Sequence, residues 1–386
     1  MPHRTRMIHL ALGGLIALAI AMGVGRFIYT PILPYMIEDL GLSKGDAGLI
    51  ASANYLGYLI GALLGATPLV FGSRRTWMLS ALVISAVTSA SVGLVSSMPL
   101  FLILRLIGGV ASALILVFAS TLVLERLRAN QRDGLASLHF AGVGSGIMLA
   151  GILVSVLVAA GIGWRGHWIS AGLLSLIAIY FVARLVPDEA EPAAQPRKAQ
   201  SQTWRMSLII LAYGLFGFGY VITATFIMTI VREFPQISYL EPYVWIIVGA
   251  AAIPSVAAWK PLANRFGIIN AYGLACLVQA VGVAASVLWI SAFGIVLAAV
   301  FLGGTIMAIT ALGLMAVQSL SGGDPRKAFA LMTASFGLGQ IIGPVFAGYL
   351  HDASGSFMVS SLVAAGALVI AALLSAIAAR GVHRDS

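Results

Sequence analysis

Apolar residues run through this chain in long blocks separated by short polar breaks. A helix needs about 20 predominantly apolar residues to cross a bilayer core. On that length the pattern predicts twelve helices, near 8–36, 46–70, 76–96, 99–124, 134–160, 165–186, 204–231, 242–261, 268–290, 292–318, 327–350 and 356–379. The connections are short, with one exception. Residues 187–203, PDEAEPAAQPRKAQSQT, are rich in Pro, Gln and Ala, have no apolar periodicity and read as a flexible linker. The linker separates a six-helix bundle over 1–186 from a second over 204–386. The expected fold is an all-α polytopic membrane protein of two six-helix bundles.

Composition supports the apolar solvent. Only 9% of the 386 residues are charged and 60% are hydrophobic, against about 25% charged in a soluble protein. The basic start MPHRTR resembles that of a signal peptide, but the apolar run after it far exceeds a ~7–15 residue signal core and reads as a retained span. The single cysteine, Cys276, sits in an apolar segment and reads as packing.

The net charge of +9 is explained by its distribution. With the N-terminus placed inside, 17 Lys and Arg fall in inner segments and 3 in outer ones (Lys44, Arg165 and Arg232). That asymmetry is the positive-inside rule. It predicts both termini in the cytoplasm and an inner (plasma) membrane location, and it leaves no surplus charge calling for a nucleic-acid partner. Two arginines remain within spans, Arg26 and Arg105.

The two halves repeat. Gly23-Val24-Gly25 matches Gly217-Phe218-Gly219 at an offset of 194 residues, and Gly72 matches Gly267, Gly108-Gly109 matches Gly303-Gly304, and Gly142-Val143-Gly144 matches Gly337-Leu338-Gly339 at 195. Parallel six-helix repeats are one transporter architecture. Glycines at matched places allow close helix approach.

Twelve spans, a central linker and these repeats resemble the major facilitator superfamily over nearly the whole chain. The loop Gly65-Ala66-Thr67-Pro68-Leu69-Val70-Phe71-Gly72-Ser73-Arg74-Arg75 is similar to the superfamily's G-x-L-A-D-R-x-G-R-R loop, with Leu69 at the usual Asp position. Its repeat, Leu262-Ala263-Asn264-Arg265-Phe266-Gly267, carries Asn264 there. The resemblance implies a gating role for Gly72, Arg74, Arg75, Asn264, Arg265 and Gly267. Arg105-Leu106-Ile107-Gly108-Gly109 is similar to the family's R-x-x-x-G motif, whose Arg is implicated in substrate binding or proton transfer. Helix 5 lacks the proline of the antiporter motif, having Ile147 there, and Gly339-Gln340-Ile341-Ile342-Gly343-Pro344 stands in helix 11 instead. The Gly-Val-Gly-Arg-Phe stretch resembles the YbfB-like bacterial branch.

The candidate chemistry starts at Arg26. An arginine at a helix centre costs roughly +2.5 to +3.5 kcal/mol on insertion scales and marks a functional site by default. Arg26, Tyr29 and Thr30 share one helical face, as do Arg105 and Ser112. The resemblance places helices 1, 4, 7 and 10 around a central cavity. Every Asp and Glu lies near a helix end or in a loop. The missing negative partner is therefore expected to be an anionic substrate held by guanidinium. The structural alternative is an arginine bonded to backbone carbonyls or snorkelling to water. In the second half Tyr213 and Tyr220 line one face of helix 7, which suits the apolar body of an organic anion, or serves packing alone. Asn54, Tyr55 and Tyr58 on helix 2 and Gln340 on helix 11 are candidate polar lining. His139 is the candidate proton relay, against a structural role in hydrogen bonding.

No metal-ligand spacing, phosphate-binding loop or catalytic triad is present in the sequence, and a 17-residue linker cannot hold an ATPase domain. The expectation is a non-enzymatic secondary transporter of a small organic anion, without cofactor, coupled to protons or working by exchange, and sufficient as a monomer. The alternatives are a proton-coupled exporter of drugs or neutral metabolites, and a non-transporting receptor on the same fold.

Overall fold

The computed structural model describes residues 3–67, 72–188, 203–321 and 325–380. Leu69 and most of the linker lie outside the described residues. Every regular element within them is helical. The chain begins with α1 (His3–Leu18), a π-helix over Ala19–Phe27, and α2 (Tyr29–Leu40). There follow α3 (Lys44–Gly65), α4 (Arg74–Val92), α5 (Met98–Ala129), α6 (Ala136–Ala159) and α7 (Trp164–Leu185). After the linker come α8 (Thr203–Glu233), α9 (Glu241–Ala252), α10 (Ser255–Phe266), α11 (Ile268–Leu288), α12 (Ala292–Leu320), α13 (Pro325–Ser354) and α14 (Met358–Arg380). Among the described residues 11 helices are long and apolar enough to span a membrane, or 12 when the bent pair α9–α10 counts as one.

Two expected helices are not continuous. The segment expected over 242–261 bends by 45° between α9 and α10. Pro254, at the N-cap of α10, supplies no backbone N–H and so interrupts the helical ladder. The helix expected over 8–36 changes register in its middle, at the π segment.

The chain forms two compact units. Unit 1 comprises Met1–Leu42, Ala53–Ala193 and Pro242–Ile253, and unit 2 comprises Ser43–Ser52, Ala194–Glu241 and Pro254–Ser386. In unit 1 the first helix packs on α6 through glycine. A Cβ on Gly23 would lie 2.1 Å from the carbonyl carbon of Gly146, and one on Gly142 would lie 2.2 Å from the Leu15 oxygen. Unit 2 uses its repeat glycines in the same way. A Cβ on Gly339 would lie 2.3 Å from the Gly214 oxygen, and one on Gly217 2.5 Å from the Phe336 oxygen. Gly72 and Gly267, matched in the sequence repeat, both take the left-handed region, at φ 90° and 84°.

Unit 2 also holds the first turns of α3. The Asp352 carboxylate accepts from the Lys44 N–H at 2.9 Å and the Gly45 N–H at 2.8 Å. This satisfies two otherwise orphaned donors at the positive end of α3. Glu233 lies 3.4 Å from the Lys44 ammonium and 3.1 Å from His351 Nε2. Asp352→Ala is expected to remove the cap at a cost of about 1–2 kcal/mol, read as faster hydrogen exchange at residues 44–47.

Candidate functional site

The π-helix is the centre of the site. Its nine residues, AIAMGVGRF, are all buried. π-turns are rare and concentrate at functional sites. Two features of the sequence suit one here. Gly23 and Gly25 let the widened turn sit directly against its neighbours, and a Cβ on Gly25 would lie 2.6 Å from Ser85 Oγ. Pro31 follows shortly after and has no N–H to give to the carbonyls behind it.

Arg26 is 2% exposed. Its guanidinium carbon stands 4.0 Å from the ring centre of Tyr58, 4.8 Å from Tyr55 and 5.3 Å from Phe27. Three aromatic rings thus take the place of hydration around a buried cation, an arrangement worth about 2 kcal/mol or more per desolvated contact. Tyr55 and Tyr58 are presented by α3. Arg74–Glu125 at 3.0 Å and Arg232–Glu241 at 2.5 Å are ion pairs at or near helix ends.

Arg105, 4% exposed, approaches the same turn from α5. Its Nη1 donates to the Gly25 oxygen and its Nη2 to the Arg26 oxygen, each at 3.2 Å. The guanidinium carbon lies 5.0 Å from the Tyr29 ring centre and 5.4 Å from Trp168. Asn54 Nδ2 donates to the Arg105 oxygen at 2.9 Å. Unit 1 therefore brings Arg26, Tyr29, Asn54, Tyr55, Tyr58 and Arg105 into one cluster. Of the two readings open for Arg105, bonding to backbone carbonyls is the geometry observed. Thr30 is buried. Ser112 turns back to its own helix, donating to the Gly109 oxygen at 2.9 Å. Trp168 was not among the expected residues. Nothing in its sequence surroundings separates it from Trp164, which instead donates to Asp39 at 2.6 Å.

Unit 2 carries its own polar-aromatic set. Phe216 stacks on Tyr220 at 5.1 Å, and Phe336 of α13 packs on Tyr213 at 4.9 Å and lies parallel to Tyr220 at 5.8 Å. Gln340 donates to the Tyr220 hydroxyl. The expected face of Tyr213 and Tyr220 is formed, with Phe336 as the added member.

His139 is fully buried in unit 1, with Nε2 3.1 Å from Ser120 Oγ and its ring edge-on to Phe140 at 5.0 Å. Gly14 makes room for it, since a Cβ there would lie 2.2 Å from His139 Nδ1. Of the loop residues, Arg74 pairs with Glu125, and Arg75 donates to the Val186 and Ala183 oxygens at 2.7 and 2.6 Å. Arg75 thereby caps the C-terminus of α7. Asn264 and Arg265 are exposed, the latter lying 5.3 Å from the Phe266 ring centre. A cleft of about 560 Å³ lined by Tyr35, Glu38, Asp39, Trp164 and Arg165 opens elsewhere in unit 1 and contains neither buried arginine.

The chain is 26% identical over 376 residues to a chloramphenicol resistance protein of Streptomyces lividans, covering 92% of this chain and 94% of that one. It is 24% identical over 378 residues to a putative tartrate transporter of Agrobacterium vitis, covering 89% and 87%. A mutant form of the nucleoside transporter NupG superposes with a TM-score of 0.74 at 18% identity, covering 96% of this chain and 99% of that one. That likeness shows the fold alone. The family model described as "Uncharacterised MFS-type transporter YbfB" matches residues 18–376. With nearly the whole chain matched and the helical architecture in agreement, the protein belongs to this YbfB family and is a multi-pass membrane transporter of the major facilitator superfamily.

Proposed function

We propose that the protein is a secondary active transporter of a small organic anion, working by alternating access in the inner (plasma) membrane with both termini cytoplasmic. One observation carries this reading. Arg26 is a buried cation at a π-turn, surrounded by Tyr55, Tyr58 and Phe27, in a chain whose carboxylates lie near helix ends and in loops. A carboxylate is the partner that guanidinium binds best. Aromatic surroundings that tolerate the cation also accept an apolar substrate body. The full-length relative named as a putative tartrate transporter supports an organic acid as cargo.

A second reading, efflux of drugs or neutral metabolites, is favoured by the full-length relative named as a chloramphenicol resistance protein. A thermal-stability screen of the purified transporter separates the two. Small carboxylates are expected to raise the melting temperature. A rise only with neutral or cationic drugs supports the second reading.

Coupling is proposed to run on protons or by exchange of one anion for another. His139 is the candidate relay. If it carries the proton, His139→Gln flattens the dependence of uptake on pH. An unchanged pH profile with a lowered melting temperature assigns the ring to packing against Gly14, Ser120 and Phe140.

A further inference from the structure

We infer that Arg105 is a positioning residue, a clamp that holds the π register of the first span and so sets where Arg26 points. The inference rests on the reading of Arg26 as the anion contact. It gives Arg105 a different task from a second charge for the substrate.

The π segment ends at Phe27, and the α register resumes with the Ile32 N–H bonded to the Ile28 oxygen at 3.3 Å. Between these points one backbone donor is missing, that of Pro31. Pro31 lies five residues after Arg26 and four after Phe27, so it is the donor position for the Arg26 oxygen in π register and for the Phe27 oxygen in α register. It can serve neither. A buried carbonyl left without a donor is costly, and most of all in a membrane interior. The Arg105 guanidinium donates to the Arg26 carbonyl and to the one before it, Gly25, with its two terminal nitrogens.

The clamp is itself held from several sides. Asn54 of α3 bonds the Arg105 backbone oxygen, while Tyr29 of α2 and Trp168 of α7 flank its guanidinium. α3 also presents Tyr55 and Tyr58 to Arg26. One helix therefore seats both the clamp and the rings around the cation it aims. Loss of the extra residue in the π-turn would move the downstream chain by one α-helical step, about 100° of rotation and 1.5 Å of rise. Arg26 would leave its aromatic cage. A planar fork is needed to span two carbonyls, which an ammonium cannot reproduce.

The test compares Arg105→Gln, Arg105→Lys, Pro31→Ala and the double variant Pro31→Ala/Arg105→Lys in the full-length transporter. Hydrogen exchange over residues 19–32 reads the backbone without any ligand, and titration with benzoate reads the anion site. Arg105→Lys is expected to behave like Arg105→Gln, with faster exchange in 24–32 and benzoate affinity lowered about tenfold or more, although its charge is kept. Pro31→Ala restores the missing N–H and is expected to recover part of both losses in the double variant. If Arg105→Lys keeps wild-type exchange and affinity while Arg105→Gln loses affinity alone, Arg105 is a direct charge contact and the clamp is overturned. If wild-type protein binds neither benzoate nor any other carboxylate, the anion reading fails by itself. The exchange pattern then still decides the clamp, faster exchange in Arg105→Lys supporting it and unchanged exchange overturning it.

Discussion

Replacing Arg26 by glutamine is expected to weaken carboxylate binding by about 30-fold to 5000-fold, with the protein still folded. The range corresponds to losing one side of a buried charged pair, about 2–5 kcal/mol. Glutamine keeps much of the length and a hydrogen-bonding end, so Tyr55, Tyr58 and Phe27 retain a neighbour. The melting temperature without ligand is expected to hold or rise, because the variant no longer buries a cation. Titration calorimetry of wild type and variant with the same carboxylate measures the first effect, and a thermal melt the second. A variant that binds carboxylates like wild type would remove Arg26 from the site.

The second large effect concerns the glycine seam. Gly23→Ala adds one methyl group, and that methyl would lie 2.1 Å from the carbonyl carbon of Gly146. A backbone atom cannot rotate away, so the first span and α6 must separate. Overpacking of this kind costs typically about 1–3 kcal/mol, occasionally more, and the shift acts directly on the π segment that carries Arg26. Lower folded yield, a lower melting temperature and weaker anion binding are expected together. Gly304→Ala is the control. A Cβ there meets nothing within 4 Å, and the better helix propensity of Ala is worth up to ~1 kcal/mol. Equal losses at both positions would show that the effect comes from glycine chemistry in general rather than from the close approach.

The helices were legible in the sequence because a bilayer fixes their length, and a run of about 20 apolar residues has few other uses. The glycine repeats were legible for a related reason. Close helix contact needs a residue without a Cβ, and both halves need it at matched places, as at Gly23 with Gly146 and Gly217 with Phe336. The break at Pro254 was visible as a proline but was read through, because the apolar run continues on both sides. The π-turn left no trace. AIAMGVGRF is buried on every side, so no alternation of buried and exposed positions marks where the register changes.

The site was legible in part. Arg26 stood out by its insertion cost, and Asn54, Tyr55 and Tyr58 by being polar within a span. The acceptors of Arg105 were not legible, because they are main-chain carbonyls, which every residue carries. The cluster of Lys44, Glu233, His351 and Asp352 joins segments far apart in sequence, and no local pattern marks it.

The most direct measurement is carboxylate counterflow in proteoliposomes. Vesicles loaded with an unlabelled carboxylate that stabilises the purified protein are diluted into a trace of the same compound, labelled. Wild-type protein is expected to accumulate label transiently above equilibrium, and Arg26→Gln protein to accumulate none at the same concentration. Accumulation by the Arg26→Gln protein equal to wild type, or accumulation by wild type of neutral and cationic compounds but of no carboxylate, would contradict the account.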